Sequence, residues 1–192
     1  MKKVCILKRC ENTEVENNYY IKAIKKYGGN PILIDESNIN RLGECLGILL
    51  TGGFTKGSLD DYLIEYALKN NLPLLGICQG MQSMAIFKSN LKLEEVSNHH
   101  QKDIYVHEVI LTDSNLKKIL GKDKIRVNSY HYQTVRDSNY FSIVGRSNDG
   151  LIEVVENKNH PFQIGVQWHP ERMLEYDDDS NTIFQAFINN IK

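Results

Sequence analysis

No stretch of this 192-residue sequence approaches the ~20 consecutive apolar residues that a membrane-spanning helix needs. The amino terminus, MKKVCILKRC, also lacks a signal-peptide core, because Lys8 and Arg9 cut short the apolar run from Val4 to Leu7. An excess of charge of one sign is missing too, with 23 lysines and arginines against 24 aspartates and glutamates. That balance creates no basic field for nucleic acid or an anionic membrane, so neither partner is expected. Cysteine is sparse: residues 5, 10, 45 and 78 lie far apart without a CxxC pair. The spacing argues against a disulfide framework or a zinc site and fits a reducing, cytoplasmic setting. Repeats, low-complexity tracts and linkers are absent. What remains is a chain with 41% hydrophobic residues, long enough for one core, so a single domain over residues 1–192 is expected.

Short apolar runs alternate with helical patterns in the first half. Val4 to Leu7, Ile32 to Ile34, Leu46 to Leu50 and Leu72 to Ile77 read as buried strands of a parallel sheet. Tyr20, Ala23, Ile24 and Tyr27 share one helix face, and Gly28-Gly29 supplies a left-handed stop before Pro31. In the second half His107 to Leu111, Ile125 to Asn128, Phe141 to Val144, Leu151 to Val155 and Phe162 to Gln167 follow closely with turn signals between them, which predicts partly antiparallel strands. A last helix should follow Asp177-Asp178-Asp179-Ser180, the aspartates serving as N-terminal charge. The expected fold is an α/β three-layer sandwich around a mixed, mainly parallel central sheet.

Cys78 falls between Gly76 and Gly80, where a strand pattern gives way to a helical one. Ligands of open α/β sheets bind at the carboxyl ends of strands, and a helix N-terminus favours an ionised sulfur. Small residues two positions either side of a nucleophile also make the sharp turn of a nucleophile elbow possible. A buried structural cysteine is the competing reading. The segment from Gly165 to Glu171 weighs against it, because His169 could take the thiol proton and Glu171 could orient the ring. Thr51-Gly52-Gly53 ends another strand. Backbone N–H groups at Gly53 and Gln79 could then form an oxyanion hole if the two strands are neighbours. Gly52 and Gly57 also have phosphate-loop spacing, but Ser58 and Leu59 follow where Lys and Ser/Thr are required, which excludes that motif.

Four segments together carry a resemblance: GICQGMQ from Gly76, VNSYHYQ from Val127, DGLIEVVE from Asp149 and HPFQIGVQWHPE from His160. They resemble the class I glutamine amidotransferase-like family, and within it the stand-alone γ-glutamyl hydrolases of the γ-glutamyl-γ-aminobutyrate hydrolase type. The compact chain is also similar to the γ-glutamyl-CDP-amidate hydrolases of bacterial capsule phosphoramidate biosynthesis. The resemblance implies a Cys78, His169 and Glu171 triad that releases glutamate through a thioester. It further implies that Gln82 holds the γ-glutamyl group and that backbone around Ser129, Tyr130 and His131 meets the α-carboxylate. Gln79 stands where many γ-glutamyl-γ-aminobutyrate hydrolases have arginine, and only Phe54 to Leu59 separate Gly53 from Asp60.

The remaining expectations concern the leaving group and partners. Lys8, Arg9 and Lys56 sit near the anticipated site and could contact an anionic leaving group, with Arg9 the best phosphate binder; ordinary solvated charge is the alternative. His99, His100, His107 and His160 have no metal-ligand spacing and are read as surface or structural residues. Neither metal nor organic cofactor is required by the chemistry. The partner expected is a small γ-glutamyl substrate; a homo-oligomer stays open. The alternative reading is a glutaminase subunit that delivers ammonia to a synthetase partner. A binding module with a dead site is disfavoured by the complete Cys78, His169 and Glu171 set.

Overall fold

The computed structural model describes residues 2–192. Its elements run β1 (Lys2–Leu7), α1 (Glu14–Lys26), β2 (Gly29–Ile34), a 3₁₀ segment (Glu36–Glu44), β3 (Gly47–Leu50), α2 (Ser58–Lys69), β4 (Leu74–Ile77) and α3 (Gln79–Ala85). There follow β5 (Glu94–Glu95), β6 (His107–Leu111), α4 (Asn115–Leu120), β7 (Lys124–Val127), β8 (Gln133–Thr134), β9 (Ser142–Ser147), β10 (Ile152–Glu156), β11 (Gln163–Val166) and α5 (Asp178–Asn189). Nine strands form one sheet in the order β2-β1-β3-β4-β11-β10-β9-β6-β7. From β2 to β11 neighbouring strands are parallel, and from β11 onward each pairing is antiparallel. Only β10 and β6 therefore oppose the common direction, as the mixed, mainly parallel expectation required.

Strand alternation splits the core into two layers. Val4 and Ile6 pack with Ala23 and Ile24 of α1 and Phe184 and Phe187 of α5, while Cys5 and Leu7 pack with Leu63 and Ile64 of α2 and Met84 of α3. Both faces of the parallel strands are thus buried, which is why they read as continuous apolar runs. Local sequence sets the ends of the helices. Thr13 and Glu16 form a capping box on α1, and Gly28, at φ 83°, turns the chain out of it. Gly29 already belongs to β2 rather than to the stop. Asp177 accepts from Ser180 N–H at the start of α5, the terminal role expected of the aspartate run. The 3₁₀ segment and α4 were not anticipated, both being short; in α4 the apolar spacing of Leu116, Ile119 and Leu120 spans little more than one turn.

One expectation fails. Cys5 and Cys45 are joined as a disulfide, with Cα atoms 5.6 Å apart although 40 residues separate them. The reason is strand order: β3 lies beside β1, and Leu46 N–H donates to Lys3 C=O at 2.9 Å, bringing the approach to β3 against β1. The cysteine pattern therefore no longer argues for a reducing compartment. Among the described residues no helix is long and apolar enough to cross a membrane.

The same strand order positions the site. β3, β4 and β11 are neighbours and run the same way, so the segments leaving their carboxyl ends emerge together. These segments carry Thr51 to Gly53, Cys78 and His169.

Candidate active site

Cys78 links β4 to α3 with φ 51° and ψ −104°, a left-handed backbone that a side chain rarely adopts. Such strain persists only where surrounding structure fixes it. Here Cys78 N–H donates to Val166 C=O at 2.8 Å, and Cys78 C=O accepts from Gln82 N–H at 3.0 Å. Packing supplies the rest: a Cβ on Gly80 would stand 2.7 Å from Leu50 Cβ, so α3 can approach β3 only with glycine there. The result is the expected elbow, with the sulfur facing a cavity rather than the core and Cys78 still 5% exposed.

His169 follows β11 and is pinned at its backbone. Asn128 Nδ2 donates to its C=O at 2.8 Å, and its N–H donates to Asn128 Oδ1 at 2.8 Å. Its Nδ1 lies 2.6 Å from Glu171 Oε1, and both side chains are buried. Burial opposes a charge on the imidazole, but the Glu171 carboxylate and then the Cys78 sulfur outweigh it and push its pKa up to about 10. Tyr130 meets the ring edge-on, with centroids 6.0 Å apart.

Two adjoining cavities meet at Cys78. One, of about 380 Å³, is bordered by Gly53, Gln82, Tyr130 and His131; the other, of about 150 Å³, by Tyr20, Gly52, Tyr130 and His169. Gly52 N–H is already donated to Tyr20 Oη at 3.0 Å, whereas Gly53 borders both cavities. Gln79 is the first residue of α3, whose N–H has no acceptor within the helix. Of the two expected oxyanion donors, Gly53 borders both cavities with Cys78, and Gln79 follows the cysteine in the chain. Gln82 is buried with its amide donating to Gln133 C=O at 2.8 Å and Gln167 Oε1 at 3.1 Å, which fixes its orientation at the cavity wall. Ser129 is not at the wall: its hydroxyl is buried and donates to His99 C=O at 2.7 Å. His131 N–H is likewise taken by His99 C=O at 2.9 Å, so the wall offers Tyr130 and the His131 side chain rather than the whole segment.

The cationic contacts expected for an anionic leaving group are corrected by the structure. Arg9 is buried, and its guanidinium binds Asp60 through both oxygens at 2.9 and 2.7 Å and Thr51 C=O at 3.1 Å. Lys8 pairs with Asp35 at 3.8 Å and Lys56 with Asp61 at 2.7 Å. Asp60 and Asp35 lie on segments that the sequence alone does not bring beside Arg9 and Lys8, whereas Asp61 is only five residues beyond Lys56. A larger cavity, about 450 Å³, is lined by Lys8, Arg9 and Cys10 but does not reach Cys78. Arg9 acts instead as a strut beneath the Gly52-Gly53 loop. Asp60→Ala, which leaves that guanidinium buried and unpaired, should lower the unfolding free energy in urea by about 3–5 kcal/mol. A loss below about 1 kcal/mol would show that water reaches the pair.

Three residues near the sulfur had no sequence signal of their own. Gln167 Nε2 donates to Cys78 Sγ at 3.5 Å and Tyr20 Oη holds Gly52, while Asn128 locks the His169 backbone. Gln167 and Asn128 lie inside the quoted motifs and might have been found by asking what steadies the nucleophile and base. Tyr20 reads as an ordinary core position. Of the histidines read as surface or structural residues, His160 is buried and bonded to Asn71 C=O and Phe162 N–H, while His99 is buried beside His131 and Glu153 with His107 alongside.

The profile of the Peptidase C26 family matches residues 55–171. A Schizosaccharomyces pombe protein provisionally named a glutamine amidotransferase is 32% identical over 90% of this chain and 81% of its own length. The γ-glutamyl-γ-aminobutyrate hydrolase of Escherichia coli K12 is 32% identical over 66% of this chain, which spans only 56% of that protein. Among solved structures, the glutaminase domain of Trypanosoma brucei CTP synthase, with acivicin bound, superposes with a TM-score of 0.77 at 16% identity. The match covers 100% of this chain and 95% of that domain, a likeness of fold.

Proposed function

This chain belongs to the Peptidase C26 family, and from that premise we propose that it is a cysteine-dependent hydrolase of γ-glutamyl amides. One observation carries the reading: a strained elbow cysteine shares its cavity with a histidine whose Nδ1 is held 2.6 Å from a buried glutamate. Cys78 sulfur attacks the γ-carbonyl carbon, and the oxygen gathers negative charge facing the N–H groups of Gly53 and Gln79. The His169 imidazolium gives its proton to the departing nitrogen, leaving a γ-glutamyl thioester. His169 then takes a proton from water, which adds to the thioester carbon, and glutamate leaves as the thiol reforms. Every proton in this cycle passes through Nε2, because Nδ1 is committed to Glu171.

This assignment fixes a pH dependence. His169 has its pKa raised from 6.5 to about 10, so the stability that its charge provides is complete below pH 6.5 and is lost as pH rises toward 10. The same loss of the proton donor should end kcat/KM on an alkaline limb near pH 10. Glu171→Gln removes the carboxylate that holds the proton, so the limb should move to lower pH and kcat should fall. A limb at the same pH in both proteins would take Glu171 out of this role.

The leaving group is proposed from the rim. Phe54 and Tyr132 are exposed beside the cavity, and His100 stacks on Tyr132 at a centroid distance of 4.3 Å and 14° between planes. Such faces suit a planar group, which favours a nucleotide-linked amide such as γ-glutamyl-CDP-amidate over γ-glutamyl-γ-aminobutyrate. Relative kcat/KM on these two amides and on glutamine, measured by glutamate release, tests the order. A preference for γ-glutamyl-γ-aminobutyrate would reverse the rim argument. Turnover of glutamine that appears only with an added synthetase would favour the ammonia-delivering subunit, a reading supported by the likeness of fold to the CTP synthase glutaminase domain.

A further inference from the structure

Beside the catalytic cavity, and outside the steps above, lies a cluster of side chains with unanswered hydrogen-bonding capacity. Glu153 is fully buried, and neither of its carboxylate oxygens has a hydrogen-bond partner. His107 Nε2 lies 3.3 Å from Glu153 Oε1 and His131 Nε2 lies 3.9 Å from it, yet both nitrogens are likewise without a hydrogen bond. The ring of His99 stands with its centroid 4.8 Å from that of His131 and 5.1 Å from that of His107. Ligand atoms from His99, His131 and Glu153 all lie within 4.8 Å of one another.

The backbone arranges this convergence. The pairing of β10 with β9 is irregular on both sides of Val154, and Glu153 lies in the first of these shifts. Such irregularities re-aim a side chain that regular pleating would send elsewhere. His99 and His131 are brought together by backbone bonds, His131 N–H to His99 C=O and Gln101 N–H to Ser129 C=O, each 2.9 Å. The outer nitrogens are already assigned. His131 Nδ1 meets Gln133 C=O at 2.9 Å, so it carries the proton and Nε2 keeps a bare lone pair. His99 Nε2 meets Asp149 Oδ2 at 2.8 Å, while Ser129 Oγ, which gives its proton to His99 C=O, leaves Nδ1 only a long contact of 3.4 Å. An imidazole tied at one nitrogen to a carboxylate or carbonyl and bare at the other is the arrangement found behind metal ligands.

We propose that His99, His131 and Glu153, with His107 as the fourth ligand, form a buried site for a divalent transition cation of the zinc class. Imidazole nitrogens with a single carboxylate select such ions over magnesium or calcium, which take oxygen ligands. Bonds of about 2.0–2.2 Å in a tetrahedron place ligand atoms roughly 3.4 Å apart. The 3.9 Å from His131 Nε2 to Glu153 Oε1 requires only a small movement to reach that geometry, whereas His107, 3.3 Å from the same oxygen but outside the set of atoms within 4.8 Å of one another, must turn further to close the fourth position. The ion would answer the unpartnered carboxylate and tie three segments together: the loop before β6, the wall carrying Tyr130 and His131, and β10. Its place is structural, behind the substrate wall.

The full-length chain, freed of metal with a chelator and titrated with Co²⁺, tests the site. Expected are one equivalent bound with the visible d–d bands of four-coordinate cobalt, displacement by Zn²⁺, and a rise in Tm on metal addition. Glu153→Gln should abolish those bands. Asp149→Asn changes an exposed residue behind His99 and keeps the fold whatever Glu153→Gln does; it should weaken binding about 10–100-fold. No four-coordinate spectrum overturns the proposal, as does a cobalt affinity left unchanged by Asp149→Asn. A sulfur-to-cobalt charge-transfer band that vanishes in Cys78→Ala would also overturn it, by placing the ion on the nucleophile.

Discussion

Cys78→Ala is expected to reduce γ-glutamyl amide turnover by about 10⁴-fold or more, because no other group can form the thioester. The loss should be purely chemical. Gln167 Nε2 donates to the sulfur at 3.5 Å and His169 stands beside it, and the backbone at position 78 is held by bonds to Val166 and Gln82 that alanine keeps. The strain at φ 51° is the same for alanine as for cysteine, so urea unfolding should move little. Substrate binding should persist, since the cavity is lined by other residues and gains volume. Glutamate release by purified Cys78→Ala at more than about a tenth of the parent rate would mean that a different group attacks. Mass spectrometry of the unmodified protein quenched in turnover should show a γ-glutamyl adduct on the peptide containing Cys78.

Gly52→Ala should have the next largest effect, about 10²–10³ in kcat, by moving the base rather than removing it. A Cβ at this position would stand 2.8 Å from His169 Cε1, 3.1 Å from Tyr20 Oη and 3.5 Å from Cys78 Cβ. The imidazole has nowhere to go, because its backbone is locked by Asn128 and its Nδ1 by Glu171. Something must therefore shift among the three groups that share the substrate carbonyl, and Gly52 N–H to Tyr20 is the easiest bond to break. The kinetic signature is a fall in kcat with a smaller change in KM and an alkaline limb displaced from that of the parent. A kcat within threefold of the parent would show that the ring is more mobile than these contacts allow.

Much of the catalytic constellation was legible because its signals are local. The small-x-Cys-x-small spacing around Cys78 specifies a tight turn between strand and helix, and the structure has that turn with positive φ. His169 and Glu171 are two residues apart, so their pairing needs only the right local bend. The apolar runs of β1, β3 and β4 were visible since both sheet faces cover them. Long-range pairing was not. Arg9 reads as a free cation until α2 brings Asp60 beneath it, and Ser129 reads as a wall residue until His99 claims its hydroxyl. His99, His131 and Glu153 are far apart in sequence and show no ligand spacing, and only the fold brings their ligand atoms within 4.8 Å of one another.

By itself, then, the sequence determined the alternating α/β pattern, the elbow that strains Cys78, and the pairing of His169 with Glu171. Each depends on residues within a few positions of one another, where spacing and side-chain chemistry act directly. Tertiary structure alone decided that β3, β4 and β11 stand side by side, that Cys5 bonds to Cys45, and which charges are already neutralised. Strand order is set by how both faces of the sheet are covered at once, a balance over the whole core that no single segment encodes.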